Sequence, residues 1–241
     1  MPTRLLLTAA ILSWSGEAFA YRPFDGTDAD VAETGEFELE LGPVGFYRLG
    51  TQNNLTLADA VLNYGLVHRL ELVAQFEYVI PLGSSNVPPD QALDSALLAK
   101  VVLREGCLQA STGLSVATED GLLFPPIGGA GNVGASGSLI VSQCFGRSVI
   151  LHYNGDVELT PDHNLDLFAS VIGEGPRAWL VRPVAEIYAE REFNAYTTYS
   201  ALVGAIWRAV AKLDVDAGFR AAALSGTLLL EARLGITWTF L

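Results

Sequence analysis

The sequence predicts an all-β fold, a twelve-stranded antiparallel transmembrane β-barrel, and three observations support this prediction. Twelve segments alternate apolar and polar residues with a period of two, as strands with two different faces do. Half of the 241 residues are apolar, yet beyond residue 20 no stretch reaches the ~18 apolar residues of a membrane-spanning helix. Within a segment, the central charges share one face. A barrel needs this segregation, because a basic residue facing lipid at mid-depth costs roughly 2–4 kcal/mol.

The first twenty residues predict a secretory signal peptide. Arg4 gives a positive start, an apolar core follows, and Ala18 and Ala20 frame a small-x-small cleavage site. An N-terminal anchor helix is the alternative, which the short core disfavours. We therefore expect three parts: a signal peptide (1–20), a periplasmic N-terminal segment (21–34) and an outer-membrane β-barrel (35–241).

The twelve predicted strands follow in order and are separated by turn-forming residues. Short connections tend to alternate with longer ones rich in Gly, Pro and Asn, such as 83–91 and 119–132. Short turns at one end and longer loops at the other are typical of outer-membrane barrels. The strands are expected at roughly 35–47, 54–66, 67–82, 92–104, 107–118, 133–144, 147–160, 165–174, 179–191, 197–209, 212–223 and 226–241.

An exported β-sandwich is the alternative fold, because its strands alternate as well. Large apolar faces on every segment disfavour it, and so do aromatic residues gathered near strand ends, which resemble the interfacial girdles of barrels. These aromatic residues are Tyr64, Tyr78, Trp179, Tyr199, Trp207, Trp238 and Phe240.

The last segment predicts how the barrel closes and which partners it meets. In a closed barrel the final strand pairs with the first, so no strand edge is left unsatisfied in lipid. Gly235, Trp238 and Phe240 also resemble the C-terminal signal read by the barrel-assembly machinery, although Leu241 is the final residue. The expected partners are outer-membrane lipid, this machinery and a small-molecule solute.

Longer stretches resemble a known family. They are RPFDGTDADVAETGEFELELG near the expected mature start, LAKVVLREG, and AEIYAERE, GAIWR, LDVDAGFR and EARLGITWTF within residues 183–240. These stretches are similar to Gram-negative outer-membrane barrels labelled as transporters or as phenol-degradation (MetA-pathway) proteins. The resemblance implies an exported barrel in the cell outer membrane and a transport function, and it brings no catalytic motif.

Within each predicted strand, alternate residues face the interior of the barrel, and the charged residues at these positions predict the lining of the lumen. Acids outnumber bases among them, so an open passage would favour cations or neutral polar solutes. The alternative is a packed electrostatic plug, in which four arginines of the last four strands pair with neighbouring acids. A narrow, partly plugged passage satisfies both. The predicted lining includes Glu71, Lys100, Arg182, Glu186, Arg208, Asp214, Asp216, Arg220, Glu231 and Arg233.

The two cysteines predict a disulfide. Cys107 opens one segment and Cys144 closes the next, so a hairpin would place them face to face at the short-turn end. That end would lie in the periplasm, which is oxidising. The alternative is two unpaired thiols in a hairpin of different register, because a disulfide requires Cα atoms less than about 7 Å apart.

The loop over residues 119–132 is the predicted gate. Its glycines give it mobility, and Phe124, Pro125, Pro126 and Ile127 make it apolar. These four residues would contact an apolar substrate at the entrance or fold over the mouth.

Other kinds of site find little support. The net charge of −13 argues against nucleic acid, whose phosphates need a basic surface. Asp25, Asp28 and Asp30 lie close together, but their spacing does not match a calcium-binding EF-hand loop. A solvated N-terminal segment, able to tuck into the periplasmic mouth if ordered, is favoured instead. We predict no metal and no cofactor.

Catalysis is the last alternative. His152 with Asp166 and a serine is not excluded, but the chain has no GxSxG, HExxH or P-loop motif. We therefore predict no catalytic residue and interpret His152 as a polar lumen residue. The predicted function is a passive channel for small, hydrophobic or aromatic molecules. A closed structural or interaction barrel is the alternative, and an outer-membrane enzyme is less favoured.

Overall fold

A computed structural model describes residues 22–82, 91–107, 113–125, 131–146 and 148–241. The predicted signal peptide (1–20) lies outside the described residues, as do Pro126 and Ile127 of the predicted gate. Within the described parts of the chain, no helix is long and apolar enough to cross a membrane.

Twelve strands form one closed barrel in which each strand pairs with its sequence neighbours, and the first pairs with the last. All of these pairings are antiparallel. The predicted fold class is therefore confirmed. The strands are β1 Phe37–Leu49, β2 Gln52–Val67, β3 Leu70–Leu82, β4 Gln91–Arg104, β5 Gly113–Phe124, β6 Gly134–Phe145, β7 Val149–Leu159, β8 Leu165–Glu174, β9 Val181–Glu192, β10 Tyr196–Val210, β11 Leu213–Leu224 and β12 Thr227–Phe240.

Closure of the barrel explains the alternating pattern at the end of the sequence. β12 pairs with β11 on one side and with β1 on the other, where Phe37 lies opposite Phe240. The Phe37 ring stacks on Tyr64 and on Phe240, with centroids 4.5 and 5.7 Å away. We call the end of the barrel where β1 begins and β12 ends the terminal end, and the opposite end the loop end.

The two faces of the wall differ as the charge pattern predicts. Large apolar side chains project outward, and Leu97, Ile187, Val203, Phe219 and Leu234 are each at least half exposed. Their exposure is expected for a surface that faces hydrocarbon rather than water.

Some charges near strand ends depart from the segregation of charge, among them Arg48, Asp120 and Arg191, which are exposed at outward positions. Asp120 is exposed on the outer face of β5, four residues before that strand ends, and accepts a hydrogen bond from the Thr118 hydroxyl (3.1 Å). Because it lies toward the loop end, a carboxylate there costs less than one at the bilayer midplane.

Two predicted connections were wrong. The strand expected at 107–118 spans Gly113–Phe124 instead, so residues 119–124 of the predicted gate loop belong to β5. Glu119 and Gly121 continue the inward parity of that strand, and this periodicity outweighs the turn tendency of the Asp-Gly pair. The connection expected at 48–53 is also shorter, because β1 ends at Leu49 and β2 begins at Gln52.

The N-terminal segment, residues 22–36, lies inside the barrel. The Gly35 N–H donates to the Gly65 carbonyl (2.7 Å), near the terminal end of β2. Further back in sequence, Asp28 is 2% exposed, and Ala29 is fully buried with Ala117 and Ile140. The solvated segment expected from the sequence is therefore wrong, and the segment fills part of the lumen.

Candidate functional site

The lumen holds a cavity of about 770 Å³. The N-terminal segment contributes residues 22, 24–28, 30–33 and 36 to its lining, which places the segment as a floor across the barrel. Leu49 and Leu224, the final residues of their strands, line it at the opposite side, so the cavity extends to the loop end. Among the residues that the structure describes, fifteen acidic and four basic side chains lie on its surface.

Backbone N–H groups fix the segment to the wall. Side chains from strands on opposite sides of the lumen accept these bonds, so the segment is held from several directions. The bonds run from Asp25 and Gly26 to Glu186 (2.8 and 2.9 Å), from Thr27 to Asn154 (3.0 Å), from Ala29 to Ser142 (2.9 Å) and from Ala32 to Glu71 (2.5 Å).

Ion pairs add to these bonds nearer the terminal end. Asp28 lies 3.6 Å from the Lys100 ammonium and 3.5 Å from the Arg177 guanidinium. Asp30 also pairs with Arg177 (3.5 Å). Burial and the neighbouring Asp28 carboxylate raise the pKa of Asp30 well above its usual range. Asp30 therefore binds a proton more readily here than it would in water.

Asp25 completes a second charged group halfway along β11 and β12. Its Oδ1 lies 3.1 Å from Arg220 and 2.8 Å from Arg233. Both guanidinium groups also pair with Glu231, at 2.5 and 2.7 Å. Desolvation raises the pKa of Asp25, but Arg233 and Arg220 together lower it below the ordinary value. Asp25 is therefore held in its charged form.

The remaining predicted arginines pair within the wall itself. Arg182, 1% exposed, bonds to Glu174 (2.6 Å) and Asp214 (2.8 Å). Arg208 also lies 3.6 Å from Asp214. In the plug alternative Glu186 would pair with an arginine, but its carboxylate accepts N–H groups of the N-terminal segment.

The structure places all ten predicted lining residues on the inner side of the wall. Asp216 is 1% exposed and lies 3.9 Å from Arg22 of the segment, which also pairs with Asp59. Sequence reasoning missed Arg22 as a partner of the wall, because its acids lie far away in the sequence.

Inward-facing glycines leave the space that the segment fills. A Cβ added at Gly65 would lie within 3.0 Å of the Glu33 backbone. At Gly235 it would collide with the Arg22 side chain. Glycine is used where a second stretch of backbone or a ligand approaches closely. Inward glycines on otherwise charged strands are thus a sequence signal that predicts an occupant of the lumen.

A serine, a histidine and an acid also meet below the segment. Ser142 Oγ lies 2.7 Å from His152 Nδ1, and His152 Nε2 lies 3.5 Å from Glu174. The Ala29 N–H donates to the same serine oxygen, and both Ser142 and His152 are 1% exposed. Asp166, the acid considered from the sequence, lies at the opposite end of β8. Parity alone could have identified Glu174, since it shares the inward face of that strand.

Cys107 and Cys144 form a disulfide with a Cα separation of 5.1 Å. It differs from the predicted hairpin pair, because Cys144 lies opposite Gly113 in the β5–β6 ladder and Cys107 precedes β5. Of the predicted gate, Phe124 is the last residue of β5, and Pro125 follows it. No cluster of three or more potential metal ligands occurs among the residues that the structure describes.

Comparisons with known proteins identify the fold. No protein-family model and no curated protein sequence matches the chain. Among solved structures, it is similar to an outer-membrane channel from Pseudomonas putida F1, with 13% identity and a TM-score of 0.66 over 90% of this chain and 100% of that one. It is also similar to the KdgM porin, with 8% identity and a TM-score of 0.55 over 85% and 99% of the two chains. The β-domain of the Bordetella autotransporter BrkA matches at 11% identity and a TM-score of 0.51, over 87% and 100%.

These likenesses show that the chain has the fold of outer-membrane β-barrels. Their identities are too low to carry over what those proteins do. The resemblance to phenol-degradation barrels stays a prediction.

Proposed function

We propose that this protein is a passive outer-membrane channel for small molecules, in which the N-terminal segment forms the constriction. The observation that carries this proposal is the cavity of about 770 Å³, which reaches the loop end and has the segment as its floor. That volume lies within the range of small-molecule sites, roughly 300–1,000 Å³. An apolar outer surface and the fold support a location in the cell outer membrane. Export through the signal peptide (1–20) and recognition of the last strand by the barrel-assembly machinery belong to the same proposal.

The lining favours particular solutes. Its four basic side chains, Arg22, Lys100, Arg220 and Arg233, all pair with acids. The acids exceed the bases by eleven, so the cavity attracts cations and disfavours anions. Tyrosine, phenylalanine and leucine side chains in the same lining suit a solute with an aromatic or hydrophobic part.

Passage requires the segment to move. Its backbone crosses the lumen and bonds to strands on opposite sides, so it occupies the space that a solute would need. The hydrogen bonds and ion pairs that hold the segment are all noncovalent, so it can withdraw without breaking a covalent bond, as lids and gating loops do.

Planar-bilayer recordings of the purified protein test this proposal. We expect small, intermittent currents with a reversal potential that favours cations over chloride, because the lining is acidic. A current that favours chloride would contradict the assignment of selectivity. Silence, both in the native protein and in a variant whose segment is weakened, would favour the closed structural barrel instead.

A hydrolase is the second candidate, favoured by the short Ser142–His152 contact. The segment argues against it, because Ala29 covers the serine and its N–H occupies the nucleophilic oxygen. We expect no hydrolysis of p-nitrophenyl esters by the purified barrel. Hydrolysis that disappears in a His152→Ala variant would establish the enzyme.

A further inference from the structure

Asp25 is held at both of its polar ends. Its backbone N–H donates to Glu186 Oε2 at 2.8 Å. Its carboxylate accepts from Arg220 (3.1 Å) and Arg233 (2.8 Å). Tyr188 borders this place, since its hydroxyl accepts a further bond from Arg220 at 2.7 Å. The wall thus binds both the backbone N–H and the side-chain carboxylate of a single aspartate residue.

If the segment withdrew, two places in the wall would lose their partners: the two arginines would lose a carboxylate, and Glu186 would lose its N–H donors. Arg220 and Arg233 would then lose the Asp25 carboxylate, and Glu231 would remain as an acid that both guanidinium groups contact. Glu186 is 1% exposed and would lose both N–H donors that its carboxylate now accepts. Buried charges are costly unless they are paired and hydrogen-bonded. A ligand with one carboxylate and one ammonium group would therefore replace the partners that both places lose.

An apolar patch lies beside this charged place. Val184 and Ile206 are 5% and 0% exposed inside the lumen, and Phe24 of the segment packs against them. On β9 the inward neighbours of Val184 are the charged Arg182 and Glu186, whereas on β10 the inward Leu202 is apolar as well. An occupant with a hydrophobic or aromatic group next to its amino group would fill the same space.

We propose that Glu186, Arg220 and Arg233, with the Val184–Ile206 patch, form a binding site for a zwitterionic, aromatic amino-acid-like solute. Phe24 and Asp25 of the N-terminal segment occupy this site as an internal mimic of the ligand. This inference rests on the proposed channel function and names its substrate class. In Asp25 three bonds separate the amide nitrogen from the carboxyl carbon, which is the spacing of a β-amino acid.

The geometry also explains how a solute opens the channel. A ligand that satisfies Glu186 and the two arginines competes directly with Asp25, so its binding favours the withdrawn segment. A solute that carries only one of the two charges satisfies one vacancy and leaves the other charge unpaired. Such a solute should compete poorly, because the penalty for a buried unpaired charge remains.

Calorimetric titration of the full-length protein in detergent tests the site. The probes are 3-amino-3-phenylpropanoate as the zwitterion, 3-phenylpropanoate as the anion and 3-amino-3-phenylpropanamide as the cation. The Asp25→Ala variant removes the competing carboxylate, and we expect it to bind the zwitterion about tenfold more tightly than the native protein does. In this variant the zwitterion should also exceed each singly charged probe by about tenfold.

Two further variants separate the halves of the site. Adding Glu186→Gln to Asp25→Ala should make the zwitterion and the anion bind equally. Arg233→Gln in the same background should make the zwitterion and the cation bind equally. Asp162→Asn, an exposed residue after β7, is the matched control and should change neither preference. The difference in gel mobility between unheated and heated samples shows whether each variant barrel is folded.

The outcomes distinguish this inference from the proposed function. Equal binding of all three probes, or no binding in the millimolar range to any folded variant, overturns the site whether or not the protein conducts ions. Preferential binding of the zwitterion without any ion current would keep the site and overturn the channel.

Discussion

Replacing Asp28 by asparagine should loosen the N-terminal segment. Asp28 is 2% exposed and lies 3.6 Å from Lys100 and 3.5 Å from Arg177. The substitution keeps the side-chain volume and removes one negative charge. It therefore weakens these two contacts and leaves the five N–H bonds of the segment in place.

The size of the effect follows from comparing the closed and withdrawn states. Removing one partner of a buried pair usually costs about 3–5 kcal/mol, because the other charge stays buried and unpaired. Here Lys100 keeps its hydrogen bond to the Thr27 hydroxyl and stays close to Glu71 and Glu119, so the substitution does not leave its charge uncompensated and the cost is smaller. What remains is a charge-assisted bond, worth roughly 1.5–3 kcal/mol. About 2 kcal/mol shifts the equilibrium roughly thirtyfold toward the withdrawn segment.

Single-channel recording measures this shift as open probability. We expect Asp28→Asn to be open roughly thirty times more often than the native protein, with unchanged conductance of the open state. Asp162→Asn carries the same change of charge outside the lumen and should behave like the native protein. An open probability that stays the same in a folded Asp28→Asn barrel would refute the role of the segment as the constriction.

Three other perturbations probe the same structure. Gly65→Ala places a Cβ against the backbone of the segment and should raise the open probability, whereas Gly155→Ala, which meets nothing within 4 Å, is the control; equal currents from both would contradict the close approach. Burial raises the pKa of Asp30, so the closed state takes up a proton and weakens as pH rises; the open probability should increase as pH rises above the ordinary range of an aspartate, and Asp30→Asn should reduce that increase. Reducing the Cys107–Cys144 bond, which closes a separation of 37 residues, should lower stability by about 4 kcal/mol; an unchanged melting temperature after addition of thiol would contradict this.

The sequence predicts the wall of the barrel well, because the wall follows a local rule. Each strand alternates faces with a period of two, so the inward position of Arg182 or Glu231 follows from its neighbours in the same strand. The same parity holds for Glu174, the last residue of β8. The strand expected at 107–118 spans Gly113–Phe124 instead, so the identity of a strand is more predictable than the residues at which it begins and ends.

The N-terminal segment follows no such rule. Asp28 is followed by residues without periodicity, and its partner Lys100 lies 72 positions away. A run of acids in a polar stretch is usually solvated, and only the closed barrel brings Lys100 and Arg177 to it. The inward glycines are the sequence signal for the segment. A side chain at Gly65 would collide with the backbone of Glu33, so glycine at this position indicates that another stretch of chain lies close to the wall.

The charges of the lumen divide into two classes, and this division argues that the segment can move. Arg182 finds Glu174 and Asp214 within the wall, so this part of the barrel is neutralised without any help from the segment. Glu186 and Lys100, by contrast, bond to backbone or side-chain groups of the segment. If the segment served only as a packed core, we would expect charges along the whole lining to depend on it for their partners. Because the wall near the terminal end pairs Arg182 within itself, withdrawal of the segment would leave the strand pairing of the barrel intact and would remove partners from other lumen charges, among them Glu186 and Lys100.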